Sequence, residues 1–508
     1  MVLEIMKLKL VFYLALIPFI LYNIYLCSFF ALRGEVRLTN DIGRDFLLLQ
    51  ELDQKKIVLI GPRSNTNGVF HGPLWTYMNY PAYLIGNGDP AVVAWFWVIL
   101  SVIFLLTTFF IVRKMFDTLS GLFATLLLST SLIPHTNSVF SPESMFFFMP
   151  FFFFTIYKYL ESKKPIFLIS HLITVAIFVH LNIGVGILFL ILSSVLILGF
   201  ILKNKLWKHL TAFLVLPVFL SNFIVFDLKN GFRITKGLLN LGGTSKFIVP
   251  LNDWISDRIN NTVSMQILAD PANRFLVFAI FFLIVGFTIW QIKRNNNRRI
   301  YLLFLFYYFG YMALSYFNKG IILYHYIYVV IPLTTIWLVS FLKGHTKYIF
   351  IPLALLVFLL NLNFARDYIT FTNNSFLGKS RDSWILLHSV AQSVVNEEKG
   401  KEFGYFVYSP DAFAYQQRYA MLYSFKASKA KAFEYVKKQT TYIISAPPPV
   451  DDPYVSRVWW REKEVKITSS PVETKKFSGG YVVEKFNLSS DEQNIPHDKN
   501  IELGIHFR

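Results

Sequence analysis

The stretch LVFYLALIPFILYNIYLCSFFALRGEVRLTNDIGRDFLLLQEL (10–52) joins a long apolar run to a loop in which charge suddenly gathers. Residues 10–32 carry no charged side chain, and about 20 apolar residues suffice to cross the hydrocarbon of a bilayer. Lys7 and Lys9 precede the run, so it reads as a retained span whose N-terminus is cytoplasmic. A cleaved signal peptide has a shorter apolar core and a small-residue cleavage site. Past the span, Asp41 and Asp45 stand four apart with Arg44 between them.

The rest of the chain follows the same solvent logic. Of its 508 residues 54% are hydrophobic and 16% charged, against about 25% charged in soluble domains. Further apolar runs fall at 91–112, 119–134, 140–157, 166–181, 184–202, 210–226, 274–291, 300–317, 321–342 and 348–364, which makes about eleven spans. Basic clusters at Arg113/Lys114, Lys158/Lys163/Lys164, Lys203/Lys205/Lys208, Lys293/Arg294/Arg298/Arg299 and Lys343/Lys347 occupy alternate connections, on the side of Lys7 and Lys9. The positive-inside bias therefore accounts for the net charge of +18, and nucleic acid is not an expected partner. Cys27, the single cysteine, lies inside the first run, so there is no disulfide framework and no thiol metal site.

This organisation predicts a polytopic α-helical membrane protein of the plasma membrane, with a transmembrane domain over 1–364 and outer loops at 33–90 and 227–273. A C-terminal extracytoplasmic domain follows over 365–508. That tail alternates helical RDSWILLHSVAQSVVNEE (381–398) and DAFAYQQRYAMLYSF (411–425) with extended FGYFVYS (403–409), TYIISA (441–446), EVKITSS (464–470) and GYVVEKFNL (480–488). The pattern reads as a small α/β domain, with APPPVDDP (446–453) as a rigid turn. No Gly-rich nucleotide loop is present, which argues against nucleotide-sugar or ATP-dependent chemistry.

Two readings of the first outer loop stay open. If DIGRDFLLLQEL is helical, Asp41, Arg44, Asp45 and Leu48 share a face. A carboxylate held there by an arginine is ready to take a proton from a hydroxyl nucleophile. Alternatively Asn40 or Asp41 caps the helix while Arg44 is solvated, and spacing alone favours the cap. The segment FHGPLWTYMNYPAYLIGNGDP (70–90) is too polar to span and suits an amphipathic helix in the interface. Its His71 is a candidate metal or phosphate ligand, although a lone histidine is more often simply hydrogen-bonded. Glu143 reads first as a helix N-terminal charge and second as an acid in the cavity.

The order of short inner tail, first helix, Asp-x-x-Arg loop, HGPL (71–74) and aromatic interfacial segment resembles the GT-C glycosyltransferases. The likeness is to their protein O-mannosyltransferase and aminoarabinose-transferase type. NSVFSPESMFFFMPFFFF (137–154) and FDLKNGFRITKGLL (226–239) resemble the family's fourth helix and second outer loop. The resemblance covers about residues 1–365. It implies a GT-C fold and transfer of a sugar from a polyprenyl-phosphate donor to an extracytoplasmic lipid, glycan or protein, with inversion. It implies Asp41 as the catalytic carboxylate, followed by Arg44. The departures are Ile42, where the family often has Glu, and the second acid Asp45, so Asp41, Asp45 or both remain candidates. Candidate ligands of the lipid phosphate are Arg44, Arg63, His71, Lys229, Arg233, His180, Tyr324 and His325. No cofactor is certain; a divalent metal is possible, with His71 and Glu143 as candidate ligands. The competing classes are a lipid or solute transporter, disfavoured by the lack of a visible inverted repeat, and a GT-C-like assembly protein without activity.

Overall fold

Every expected apolar run lies on helical structure. A computed structural model of the chain describes residues 2–64, 66–239, 249–270, 273–295, 297–317, 320–411, 413–426, 428, 430–448 and 456–505. The first helices are α1 (Val2–Ser28), α2 (Asn40–Lys55), α3 (Leu74–Ile85), α4 (Pro90–Met115), α5 (Thr118–Leu132), α6 (Met149–Ser162), α7 (Pro165–Leu181) and α8 (Ile183–Asn204). Next come α9 (Val215–Phe219), α10 (Ser221–Lys229), α11 (Arg233–Leu239), α12 (Leu251–Ser264), α13 (Arg274–Lys293), α14 (Arg298–Ser315), α15 (Tyr324–Ile327), α16 (Ile331–Val339) and α17 (Lys347–Ser375). Residues 240–248 and 271–272 of the second outer loop, and 449–453 of the APPPVDDP turn, lie outside the described residues.

Among the described residues four helical stretches are long and apolar enough to cross a membrane: α4, α8, α13 and Gly344–Ser375. A fifth qualifies if Trp207–Phe219 and Ser221–Lys229, bent by 53°, form one span. Tyr13–Ser28, Thr118–Leu132, Pro165–Leu181 and Tyr324–Val339 are apolar but shorter. Two expected runs are interrupted. Run 140–157 opens as a 3-10 helix over Ser141–Phe148 before α6, and each piece has a proline at its start. Run 321–342 passes from α15 through a 3-10 turn into α16, which begins with Pro332 near its first position. Proline has no N–H to donate, so a helix restarts there more readily than it continues.

The contacts divide the chain into two compact units. The first comprises Met1–Ser28, Val58–Met78 and Phe96–Tyr368. Within it α1 packs on α5, α7 lies against α6 and α8, and α14 meets α8, α13 and α16. Large rings fill these interfaces: Phe304 stacks on Phe153 at 4.4 Å and on Trp337 at 5.5 Å. Buried polar groups find one another, as when Asn23 donates to Ser129 Oγ at 2.7 Å and the Trp337 indole N–H to Thr288 Oγ1 at 2.7 Å. An unpaired polar group in such an interior costs free energy, so these pairs fix helix register.

The second unit comprises Phe29–Ile57, Asn79–Trp95 and Ile369–Arg508. It holds α18 (Trp384–Glu397), α19 (Tyr415–Lys426) and strands β1 (Glu402–Tyr408), β2 (Lys431–Glu434), β3 (Thr440–Ser445), β4 (Glu473–Lys476) and β5 (Val482–Asn487). The sheet order is β2-β1-β3-β5-β4; β1 is parallel to β2 and β3, and β5 is antiparallel to β3 and β4. Phe403–Tyr408 are all buried, as befits a strand covered on both faces. EVKITSS (464–470) is not the strand its alternation predicts. Trp460–Val465 winds as a π-helix, and the Ile467 N–H closes onto the Arg461 carbonyl at 3.1 Å. The alternation is still real in burial, since Val465 and Ile467 enter one core with Phe406, Ile443 and Phe486. The short β2 and β4, both at sheet edges, carry too few apolar residues for the sequence to announce them.

A buried carboxylate ties the first-loop part of this unit to its C-terminal part. Leu38 N–H donates to the Asp382 carbonyl at 2.7 Å and Trp384 N–H to the Val36 carbonyl at 3.0 Å. Glu35, fully buried, accepts from Ser383 Oγ at 2.5 Å, Gly378 N–H at 3.1 Å and Val36 N–H at 3.0 Å. Burial raises this carboxyl above its ordinary range, and the bonds pull the other way. Replacing Glu35 by Ala leaves these donors unsatisfied at an expected cost of about 3 kcal/mol. The unfolding midpoint of the purified full chain in detergent should fall by several degrees, and Glu35→Gln, which keeps an acceptor, should lose less.

Candidate active site

The acidic loop is helical, but neither Asn40 nor Asp41 caps it. Thr39 occupies the N-cap position of α2 in extended conformation, and Asp41 lies inside the first turn. Asn40 Oδ1 instead accepts the Tyr415 N–H at 2.9 Å, at the start of α19. Beside it, a Cβ on Gly43 would stand 2.6 Å from the Gln416 Cα and N. The backbones of α2 and α19 touch there, and only glycine permits so close an approach.

From this crossing the two acids diverge. The Asp41 side chain is 58% exposed and lies 3.0 Å from Arg44 Nη1. Asp45 is fully buried, with Oδ1 3.4 Å from Arg44 Nη2. Its Oδ2 has no hydrogen-bond partner among the described residues. Burial pushes the Asp45 carboxyl up to about 7; Arg44 pulls it down in part and Asp41 adds to the rise. The largely buried guanidinium of Arg44 thus faces one solvent-directed carboxylate and one carboxyl close to neutrality. Asp41 is the acid an external substrate can reach.

The other expected residues lie in the first unit. His71 and His180 come together: His71 Nδ1 accepts the Ile183 N–H at 3.2 Å, and the Gly72 N–H donates to the His180 carbonyl at 2.8 Å. A Cβ on Gly72 would lie 2.2 Å from His180 Nδ1, so glycine is the residue that fits there. His180 Nε2 is 2.9 Å from the Phe219 carbonyl, so these nitrogens fasten backbone. Arg63 pairs with Phe70 through an isolated antiparallel backbone bridge, and the Phe70 ring lies 5.5 Å from the Arg233 guanidinium carbon. Lys229 and Arg233 are exposed.

A third cluster contains a residue the sequence analysis missed. His135, 5% exposed, has Nδ1 3.0 Å from Glu143 Oε2, off the hydrogen-bond direction. Glu143 accepts from Ser138 Oγ at 2.6 Å. The His135 ring lies parallel to Tyr324 at 5.8 Å and packs on Tyr328, while His325 meets Phe140 edge-on. Glu143 is therefore a partner of His135 as well as a first-turn acid. A lone histidine in a short turn between apolar runs carries no spacing signal. Among the described residues no three His, Cys, Asp or Glu side chains converge on a metal-sized site. His71 and Glu143 are engaged with different partners, and this donor set does not fit a bound divalent ion.

Among solved structures the chain is similar to ArnT from Cupriavidus metallidurans bound to undecaprenyl phosphate. The TM-score is 0.60 at 11% identity, over 93% of this chain and 98% of that one. The fold is ArnT-like. The apo state of the same protein gives 0.60 at 10% identity, with the same coverage. No family model matches the sequence, and no curated protein does. The ArnT-like fold agrees with the resemblance read from the order of helices, loops and motifs, and at this identity it is a statement about fold.

The buried acid has a thermodynamic signature. An aspartate titrates near 3.9 when unfolded, whereas Asp45 is held at about 7. Between those values the native state keeps a proton that the unfolded state has lost, so stability falls as pH rises from about 4 to 7 and levels off above. Asp45→Asn should remove that component of the wild-type pH dependence, read as the unfolding midpoint of the full chain in detergent. Unchanged pH dependence in the variant would mean Asp45 is ionised throughout and paired to Arg44.

Proposed function

We propose that this chain is an integral-membrane glycosyltransferase that moves a sugar from a polyprenyl-phosphate carrier to an extracytoplasmic acceptor. The observation that carries the reading is the exposed Asp41 carboxylate, paired to Arg44 in the first turn of α2. The fold supports it, because the similar ArnT is described as bound to undecaprenyl phosphate. An ArnT-like fold with helices of spanning length lets a lipid-linked donor reach the protein from the bilayer.

In this reading Asp41 takes the proton of an acceptor hydroxyl or amine as that atom attacks the anomeric carbon. The bond from carbon to phosphate oxygen breaks, and the polyprenyl phosphate leaves with the electron pair. Attack from the opposite face inverts the centre. Arg44 orients Asp41, and Asp45 holds Arg44 from its buried side. Preorganised donors at the leaving phosphate stabilise the charge that develops there. His71 and His180 hold the HGPL segment in place. No step is routed through a metal.

Asp41→Asn is nearly isosteric, and Thr39, not Asp41, stands at the N-cap position of the helix. It should retain donor binding and lose turnover by a factor of roughly 10²–10⁴, the usual contribution of a positioned base. The assay is transfer from a synthetic polyprenyl-phosphate sugar. Wild-type turnover in both Asp41→Asn and Asp45→Asn would remove both acids as the base, and no transfer by the wild-type chain would favour an assembly protein without activity.

The reading also fixes topology, with about eleven spans, a cytoplasmic N-terminus and the C-terminal domain outside. Lys399 is exposed and Cys27 is buried. Lys399→Cys should therefore react with a membrane-impermeant maleimide in intact cells against little background. Reaction only after lysis would overturn the orientation.

A further inference from the structure

The bent pair Trp207–Phe219 and Ser221–Lys229 carries an exposed apolar face, including Val218 at 68% and Leu228 at 62%. That face does not stop where the span ends. It continues into Phe232, 51% exposed, and Leu239, 77% exposed, on the two flanks of α11. Interleaved with these are Lys229, Arg233 and Lys236, all exposed. Among the described residues none of the three forms an ion pair. The one acid of the segment, Asp227, is committed elsewhere. It accepts from the Ile234 N–H at 2.6 Å, the Thr235 N–H at 3.1 Å and Thr235 Oγ1 at 2.5 Å.

Phe232 shows what the segment gives up. Its φ is +60°, a left-handed conformation, and its N–H closes onto the Asp227 carbonyl at 2.8 Å. A bulky residue is rarely found there, because its Cβ crowds the following carbonyl. The fold thus holds a large ring in an unfavourable backbone state and exposes half of it. Exposed apolar side chains contiguous with a spanning surface and flanked by unpaired cations match the boundary between acyl chains and an anionic headgroup layer.

We infer that Asp227–Leu239 docks on the outer leaflet, with Phe232 and Leu239 below the headgroups and Lys229, Arg233 and Lys236 among anionic phospholipid phosphates. This rests on the membrane-spanning reading of the chain. It assigns Lys229 and Arg233 to the bilayer rather than to the donor phosphate. Arg233 is anchored for that role by the Phe70 ring beneath its guanidinium.

Hydrogen exchange over 227–239 tests this in the full chain without reading transfer activity. The protein is reconstituted into nanodiscs of phosphatidylcholine, and into discs with about a third phosphatidylglycerol. A cation near an anionic surface contributes about fivefold, so exchange should be at least about fivefold slower in the anionic discs. The triple variant Lys229→Glu, Arg233→Glu, Lys236→Glu should abolish that difference. Phe232→Gly, which accepts the positive φ without strain, should exchange faster in both discs while the rest of the chain is unchanged. Equal wild-type exchange in the two lipids, or a difference that survives charge reversal, would overturn the proposal. A loss of transfer by Asp41→Asn would stand in either case.

Discussion

The contact at Gly43 governs what the acidic helix can do. A helix crossing in which a Cβ would sit 2.6 Å from a neighbouring backbone admits no side chain at that point. It brings the first turn of α2 against the first turn of α19, where Asn40 accepts the Tyr415 N–H. The loop that follows α1 is therefore built into the same folded unit as the C-terminal sheet. Glu35, a few residues earlier, makes the same connection through Ser383 and Gly378. The helix that carries Asp41 therefore packs on residues more than three hundred positions away.

That packing separates two acids which local spacing treats alike. Both belong to one helix and both approach Arg44, yet Asp41 faces solvent and Asp45 does not. Removing a carboxylate from water disfavours its charge, and one shared guanidinium at 3.4 Å does not restore the balance. The difference between the two acids is thus a consequence of burial.

Much of this architecture was legible because its strongest signals are local. Apolar runs longer than a soluble core uses predicted the helices, and the spacing of Asp41 and Arg44 allowed their pair in α2 while favouring a cap with Arg44 solvated. The ArnT-like fold agrees with the family resemblance drawn from the order of loops and motifs. What sequence hid depends on distant partners. Asn40 and Asp41 were the cap candidates, but Thr39 stands at the N-cap position and Asn40 is used by α19. EVKITSS alternates because Val465 and Ile467 enter the core, while its backbone turns on itself through Arg461. His135 is defined by Glu143, Tyr324 and Tyr328, and nothing in the residues beside it announces that company.

The central claim is that Asp41 meets the sugar of a lipid-linked donor. The most direct measurement is an experimental structure of the full chain in nanodiscs with a non-transferable polyprenyl-phosphate sugar analogue. The account predicts the sugar ring beside the Asp41 carboxylate, with the acceptor side of the anomeric carbon facing that oxygen. A donor bound with its anomeric carbon beyond reach of both Asp41 and Asp45, while remaining competent for transfer, would contradict it.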